Sequence, residues 1–154
     1  MEDMAQTHTE PHVAFREKVR PSPAMWVLSA IGAGSTALMV LPVWALGAFV
    51  LPVITFALLA LWLRSLTVTI IVTDQRLYVG EAHIERIFIS RAEALDETAT
   101  GTARGVGLDA RAFLVTRPWV KTAVRVDIDD AADPTPYWLV STRRPRELAA
   151  ALNG

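Results

Sequence analysis

Residues 24–63 read AMWVLSAIGAGSTALMVLPVWALGAFVLPVITFALLALWL and contain no Asp, Glu, Lys, Arg or His. A helix rises about 1.5 Å per residue, so this apolar run would extend for about 60 Å, twice the roughly 30 Å of a bilayer core. A single span would leave much of the run in water. The run therefore predicts two transmembrane helices, at about 24–42 and 44–63, joined as a hairpin.

Proline and tryptophan positions indicate the same hairpin. Trp26, Trp44 and Trp62 are eighteen residues apart, about 27 Å of helix, which would place them at alternating membrane interfaces. Pro42 cannot continue a regular helix, so the turn is predicted at the LPVW that contains it. Pro52 is predicted to kink the second helix.

Cations flank both ends of the apolar run, and the predicted turn in its middle carries none. Arg16, Lys18 and Arg20 precede it and Arg64 closes it, whereas the turn carries no positive charge. The positive-inside rule then predicts that both termini are cytoplasmic in a two-pass protein of the inner (plasma) membrane.

The first 23 residues are polar and lack a hydrophobic period. We expect a disordered tail to about residue 14, followed by a basic juxtamembrane segment to residue 23. A cleaved signal peptide is the competing interpretation, but the acidic start MEDMAQTHTE and the length of the apolar run disfavour it.

Small residues in the first span recur at four-residue spacing, a pattern that lets membrane helices approach closely. The two rows are Ser29, Ala33 and Ala37, and Ala30 and Gly34. The second span is the simplest partner, and a homo-oligomer is the alternative.

The pattern after Arg64 alternates instead of following a helical period, which indicates strands. Residues 65–154 are predicted to form a cytosolic domain of six or seven antiparallel strands, closed by a C-terminal helix at 145–152 with Pro145 in its first turn. The fold class is thus an α+β membrane protein. The predicted strands are 66–73, the one opened by LYVG at 77–80, 83–90, 111–120, 122–129 and 137–142.

Two segments of this domain are less regular. SRAEAL has the capping-box spacing between Ser90 and Glu93, so one helical turn is possible there. The glycines of GTARGVG, residues 101–107, predict a loop.

The order of hairpin, strand meander and final helix resembles bacterial membrane proteins that carry a pleckstrin-homology-like domain, with VTDQRLYVG similar to the first hairpin of that domain. A closer resemblance rests on FREKVRP, VTDQRLYVG, AFLVTRPWV, DPTPYWLVSTRRP and ELAAAL. Together these blocks resemble the actinobacterial membrane proteins grouped as domain of unknown function 3093. The resemblance implies an integral membrane protein with two spans and one soluble module, and no established activity.

Composition and motifs disfavour several classes of chemistry. Cysteine is absent, which excludes disulfides and thiolate metal sites, and the net charge of −1 disfavours a nucleic-acid binder. His83 is the histidine outside the tail and is predicted at the surface. The acidic run DIDDAADP departs from the calcium-loop pattern, and Gly101, Gly105 and Gly107 fit no nucleotide-binding spacing. We therefore expect no catalytic residue, metal or cofactor.

A cluster of basic and aromatic residues between 117 and 146 is the candidate binding site for an anion or a partner. In the alternative interpretation Trp119 and one of Tyr137 or Trp138 fill the core while the other faces outward. Pro134 and Pro136 would then hold the segment extended at the edge of the sheet. The candidate residues are Arg117, Lys121, Tyr137, Trp138, Arg143 and Arg144.

Arg143 and Arg144 precede the start of the predicted C-terminal helix, where the helix dipole disfavours cations. A compensating group is expected: Glu147, an acidic partner or an anion that bridges both arginines.

The first functional hypothesis is a non-enzymatic scaffold, anchored in membrane lipids, that binds an unidentified protein partner. The alternative is a sensor of anionic lipid headgroups or small anions, with an enzyme a distant third.

Overall fold

The computed structural model describes residues 12–154 and divides the chain into two compact units. One, the β unit, contains the described residues up to Glu17 together with Thr69–Gly154; the other, the helical unit, is Lys18–Val68. The predicted disorder of residues 1–11 lies outside the described part of the chain.

Two helices form the helical unit: α1, Pro23–Val40, and α2, Gly47–Ser65. They pack against each other, with Ala33 of α1 buried, and the turn between them includes the predicted Pro42. Both are long and apolar enough to cross a membrane. Only 6% of the 18-residue apolar stretch of α1 is buried, and 17% of that of α2. Membrane insertion itself stays a prediction.

Four strands form the first sheet, in the order β1-β2-β3-β4. The pairs β2–β3 and β3–β4 are antiparallel. They are β1, Val13–Val19; β2, Val68–Thr73; β3, Arg76–Val79; and β4, Ala82–Glu85. The predicted hairpin of β2 and β3 is confirmed, with Ile70 opposite Val79 and Val72 opposite Leu77. Gly80 follows with a φ of 65°, a left-handed conformation that favours glycine in the turn to β4.

The second sheet has the order β5-β7-β8-β6. Its strands are β5, Ile89–Leu95; β6, Phe113–Val115; β7, Ala123–Ile128; and β8, Tyr137–Ser141. All the pairs are antiparallel except β6 and β8, which run parallel, so the prediction of a purely antiparallel domain was wrong. Strand β8 lies inside the sheet and not at its edge, which corrects the edge-strand interpretation.

Two further helices complete the β unit. Helix α3, Glu97–Arg104, begins at Asp96, whose carboxylate accepts a hydrogen bond from the Ala99 N–H at 2.8 Å. The loop predicted at 101–107 was therefore wrong over its first residues. Helix α4, Pro145–Asn153, begins at Pro145 as predicted and packs on β5 and β7.

Three other sequence predictions need correction. The strand expected at 83–90 is broken by a short 3-10 helix, Arg86–Phe88, and the helical turn considered at Ser90 is part of β5. Strand β1 was not predicted at all. It lies where the sequence suggested the end of a disordered tail and a juxtamembrane segment.

Candidate interaction site at the β8–α4 junction

The chain leaves the core between β8 and α4 and becomes strongly basic at that point. Every residue of β8 is buried, and Thr142 is 0% exposed. Arg143 and Arg144 then reach the surface, directly before the first residue of α4. We call residues 142–144, with Phe15, Arg16, Glu17 and Glu147 around them, the basic junction.

The carboxylate of Glu17 occupies the entrance to α4. It accepts a hydrogen bond from the Thr142 hydroxyl and another from the backbone N–H of Arg143 at 3.1 Å. A negative charge placed near a helix N-terminus is favoured by the helix dipole. Strand β1 thus supplies a compensating carboxylate from within the chain, a group that was not among the three considered from the sequence.

Arg144 is held by three groups of the β unit. Its guanidinium donates to Glu147 Oε2 at 2.9 Å and to the backbone oxygen of Arg16 at 2.8 Å. It also lies over the Phe15 ring, 4.7 Å from the centroid. Of the compensating groups considered from the sequence, the structure therefore supplies Glu147 for Arg144.

Lys121 lies next to the junction because Thr122 and Thr142 are hydrogen-bonded to each other across the ends of β7 and β8. Its ammonium group forms an ion pair with Glu97 Oε1 at 2.7 Å. The hydrogen bond and charge of that carboxylate raise the pKa of Lys121. Lys121 is exposed and already has an acidic partner within the β unit.

Arg117 is fixed through Ser141, the last residue of β8. Its backbone N–H donates to Ser141 Oγ at 2.9 Å, and its guanidinium donates to the Thr116 oxygen at 3.1 Å. The same Ser141 Oγ accepts from Arg104 at 2.6 Å. Burial lowers the pKa of Arg104, a residue that lies in the segment predicted as a loop and was not among the candidate site residues.

Tyr137 and Trp138 are both core residues, 3% and 7% exposed, so the prediction that one would face outward was wrong. The Tyr137 hydroxyl accepts a hydrogen bond from the Asp109 N–H at 2.9 Å, and the Arg125 guanidinium lies 4.0 Å from the ring centroid. The Trp138 ring packs 4.7 Å from that of Phe113. Neither aromatic face is open to a ligand.

The six candidate residues are therefore only partly brought together. Arg143 and Arg144 lie in the basic junction, Lys121 lies next to it, and Arg117 is joined to the end of β8. Tyr137 and Trp138 point into the core of the β unit instead. The arrangement offers exposed cations for contact with a partner, but not the combination of cations and open aromatic faces that the sequence suggested.

His83 is exposed on β4, as predicted, with its ring 5.8 Å from that of Tyr78. Within residues 12–154, no group of three or more His, Asp or Glu side chains is arranged to hold a metal ion.

A second surface feature lies at the edge of the second sheet. Strand β6 is paired with β8 on one side, and its other side has no paired strand among the described residues. Phe113 is 39% exposed and Leu114 is 42% exposed on this strand. Apolar side chains on an open sheet edge are typical of surfaces that meet another chain.

We expect replacement of Glu17 by alanine to lower the free energy of unfolding of the β unit by about 2 kcal/mol, because two hydrogen bonds to a carboxylate are lost. Glu147→Ala is the matched control. It removes an exposed ion pair, worth about 1 kcal/mol or less. Denaturation of the purified chain, with hydrogen exchange at the Arg143 amide, measures both; equal losses would contradict the role given to Glu17.

No curated protein and no solved structure matches the chain. A family model described as Protein of unknown function (DUF3093) matches residues 14–152.

Proposed function

Because the chain belongs to the DUF3093 family, whose function is unknown, we propose a function from its own geometry. The protein is a membrane-anchored interaction module: the helical unit crosses the inner membrane twice, and the β unit binds a protein partner on the cytoplasmic side.

One observation supports the proposal that the helical unit is a membrane anchor. Large apolar side chains of α1 and α2 remain exposed although the two helices pack against each other. Examples are Leu28, Ile31, Leu38, Met39, Phe49, Val53, Leu58 and Leu61, all more than 60% exposed. Soluble proteins rarely expose so large a continuous apolar surface, and lipid is the solvent that matches it.

The orientation rests on charge. Basic residues flank the outer ends of the two helices and the turn between them has none, which by the positive-inside rule favours a cytoplasmic β unit.

The partner contact is supported by the open edge of β6. Phe113 and Leu114 combine exposed apolar side chains with backbone groups that another strand could pair with. The exposed cations of the basic junction favour a partner with acidic groups near the contact. The proposal is non-enzymatic, because the Glu17 and Glu147 carboxylates near these cations already form hydrogen bonds or ion pairs within the β unit.

The alternative function, sensing of an anionic headgroup or small anion at Arg143 and Arg144, has less support. Glu17 and Glu147 already supply negative charge at that position. An added anion would have to displace or join these carboxylates, at a cost in electrostatic repulsion.

Photo-crosslinking in native membranes tests the proposed function. A photoreactive residue at position 114 should capture a specific protein, and one at position 87, exposed on the 3-10 helix, should not. Leu114→Lys, with the probe moved to position 113, should reduce capture because it charges an apolar contact. Identical capture from both probe positions, or capture unaffected by Leu114→Lys, would contradict the contact at β6.

A further inference from the structure

A cavity of about 430 Å³ lies at the end of the hairpin where α1 begins and α2 ends. Both ends of the helical unit contribute to its wall. The lining residues are Arg20, Pro21, Trp26, Leu63, Arg64 and Thr67. Arg20 and Arg64 are far apart in the sequence, so the hairpin is what brings the two residues to one cavity.

Two of the described residues that line this cavity, Arg20 and Arg64, are cationic. Among the described residues, none that lines it is acidic. A guanidinium presents a planar fork of N–H donors that matches the oxygens of a phosphate group. Two arginines around one cavity therefore favour an anion such as a phosphate group over a neutral or cationic ligand.

The rest of the wall indicates that the ligand also has an apolar part. Trp26 is the kind of amphipathic side chain that lies at a membrane interface, with its ring toward apolar chains and its N–H toward headgroups. Leu63 forms part of the same wall, and the exposed apolar surfaces of α1 and α2 continue away from the cavity. A phospholipid could contact both the cationic and the apolar parts of this wall, whereas a free phosphate ion could contact only the cationic part.

We propose that this cavity binds the phosphate headgroup of an anionic phospholipid, with Arg20 and Arg64 on the phosphate and Trp26 against the start of the acyl chains. The proposal rests on the membrane anchor described above. It assigns the arginines that flank the hairpin a role in binding, beyond setting its orientation.

In the test, the purified full chain in detergent is mixed with phosphatidylglycerol or with phosphatidylcholine that has the same acyl chains. Native mass spectrometry then counts the lipids that the protein retains. Wild type should retain phosphatidylglycerol in preference to phosphatidylcholine. Arg20→Gln with Arg64→Gln should lower that retention about thirty-fold, from the loss of two cations at a charged lipid surface. Arg91→Gln with Arg111→Gln removes the same charge from exposed positions of the β unit and should leave retention unchanged.

Far-UV circular dichroism checks that each variant is folded. If the double glutamine variant does not fold, Arg20→Lys with Arg64→Lys keeps the charge but loses the planar fork, and its retention should be intermediate. Unchanged retention in the folded variant, or an equal loss in the β-unit control, overturns the site. Displacement of the lipid by millimolar inorganic phosphate overturns the lipid assignment in favour of a free anion.

Failure of the anchor gives a different result. A chain that alkaline carbonate extracts from membranes contradicts the anchor and the lipid site together. A chain that stays in the membrane but shows no preference for phosphatidylglycerol contradicts the lipid site alone.

Discussion

Replacement of Tyr137 by alanine is expected to lower the free energy of unfolding of the β unit by about 3–5 kcal/mol. The side chain is 3% exposed and belongs to a buried cluster with Leu95, Ala123 and Leu139. Truncation leaves a cavity in this cluster and removes the acceptor of the Asp109 N–H. Chemical denaturation of the purified full chain, with hydrogen exchange at the amides of β7 and β8, measures the loss.

Tyr137→Phe is the control, because it removes the hydroxyl and keeps the ring beneath Arg125. We expect it to cost about 1 kcal/mol. Tyr137 was a candidate ligand-binding residue on sequence grounds. If binding to a partner were its main role, the free energy of unfolding of the alanine variant would lie within about 0.5 kcal/mol of the wild-type value. Such a result would contradict the structural role.

The two long helices could be predicted from sequence because composition and length alone decide them. A forty-residue run without charge has few folded alternatives, and the prolines indicate where it turns. The structure places the end of α1 at Val40 and the start of α2 at Gly47, close to the prediction. Local information was sufficient here because the helices satisfy their own backbone hydrogen bonds.

Strand β1 shows where local information fails. Phe15 and Val19 are buried and Glu17 lies half-buried between them, so the alternation of a strand is present in the sequence. Its polar members and the preceding tail obscured it, and its neighbour β2 begins only at Val68, beyond the hairpin. Pairing between strands so distant in sequence cannot be read from either strand alone.

The sequence predictions for helix α3 and strand β6 failed for different reasons. Gly101 lies inside α3 although glycine disfavours helices, and the Asp96 cap was the signal that could have identified the start. The parallel pairing of β6 with β8 depends on the crossover path between them, which no local pattern specifies.

The sequence predicts that the candidate site needs a compensating negative charge, but it does not identify all the residues that supply that charge. Two arginines before a helix start required a compensating group, and Glu147 could be proposed because it follows three residues after Arg144. Glu17 could not, because it lies 126 residues before the Arg143 N–H that it binds. The burial of both Tyr137 and Trp138 likewise follows from the interior position of β8, which the flanking prolines concealed.

Replacement of Leu58 by arginine is expected to reduce the ratio of inserted to uninserted α2 about a hundredfold, which corresponds to about 3 kcal/mol for a cation near the middle of a span. Leu58 is 62% exposed, so in a membrane its side chain would face lipid. If α2 instead lay in water, the same change at an exposed position would alter stability by about 0.5 kcal/mol or less.

The measurement uses translation into membrane vesicles, with a glycosylation acceptor fused after Gly154. When α2 fails to insert, the β unit follows the turn across the membrane and the acceptor is modified. Leu58→Phe keeps the position apolar and should behave as wild type, and Ile87→Arg adds the same charge at a 78% exposed position of the β unit and should also have no effect. Because only lipid makes position 58 sensitive to charge, equal modification of Leu58→Arg and Ile87→Arg would contradict the membrane anchor.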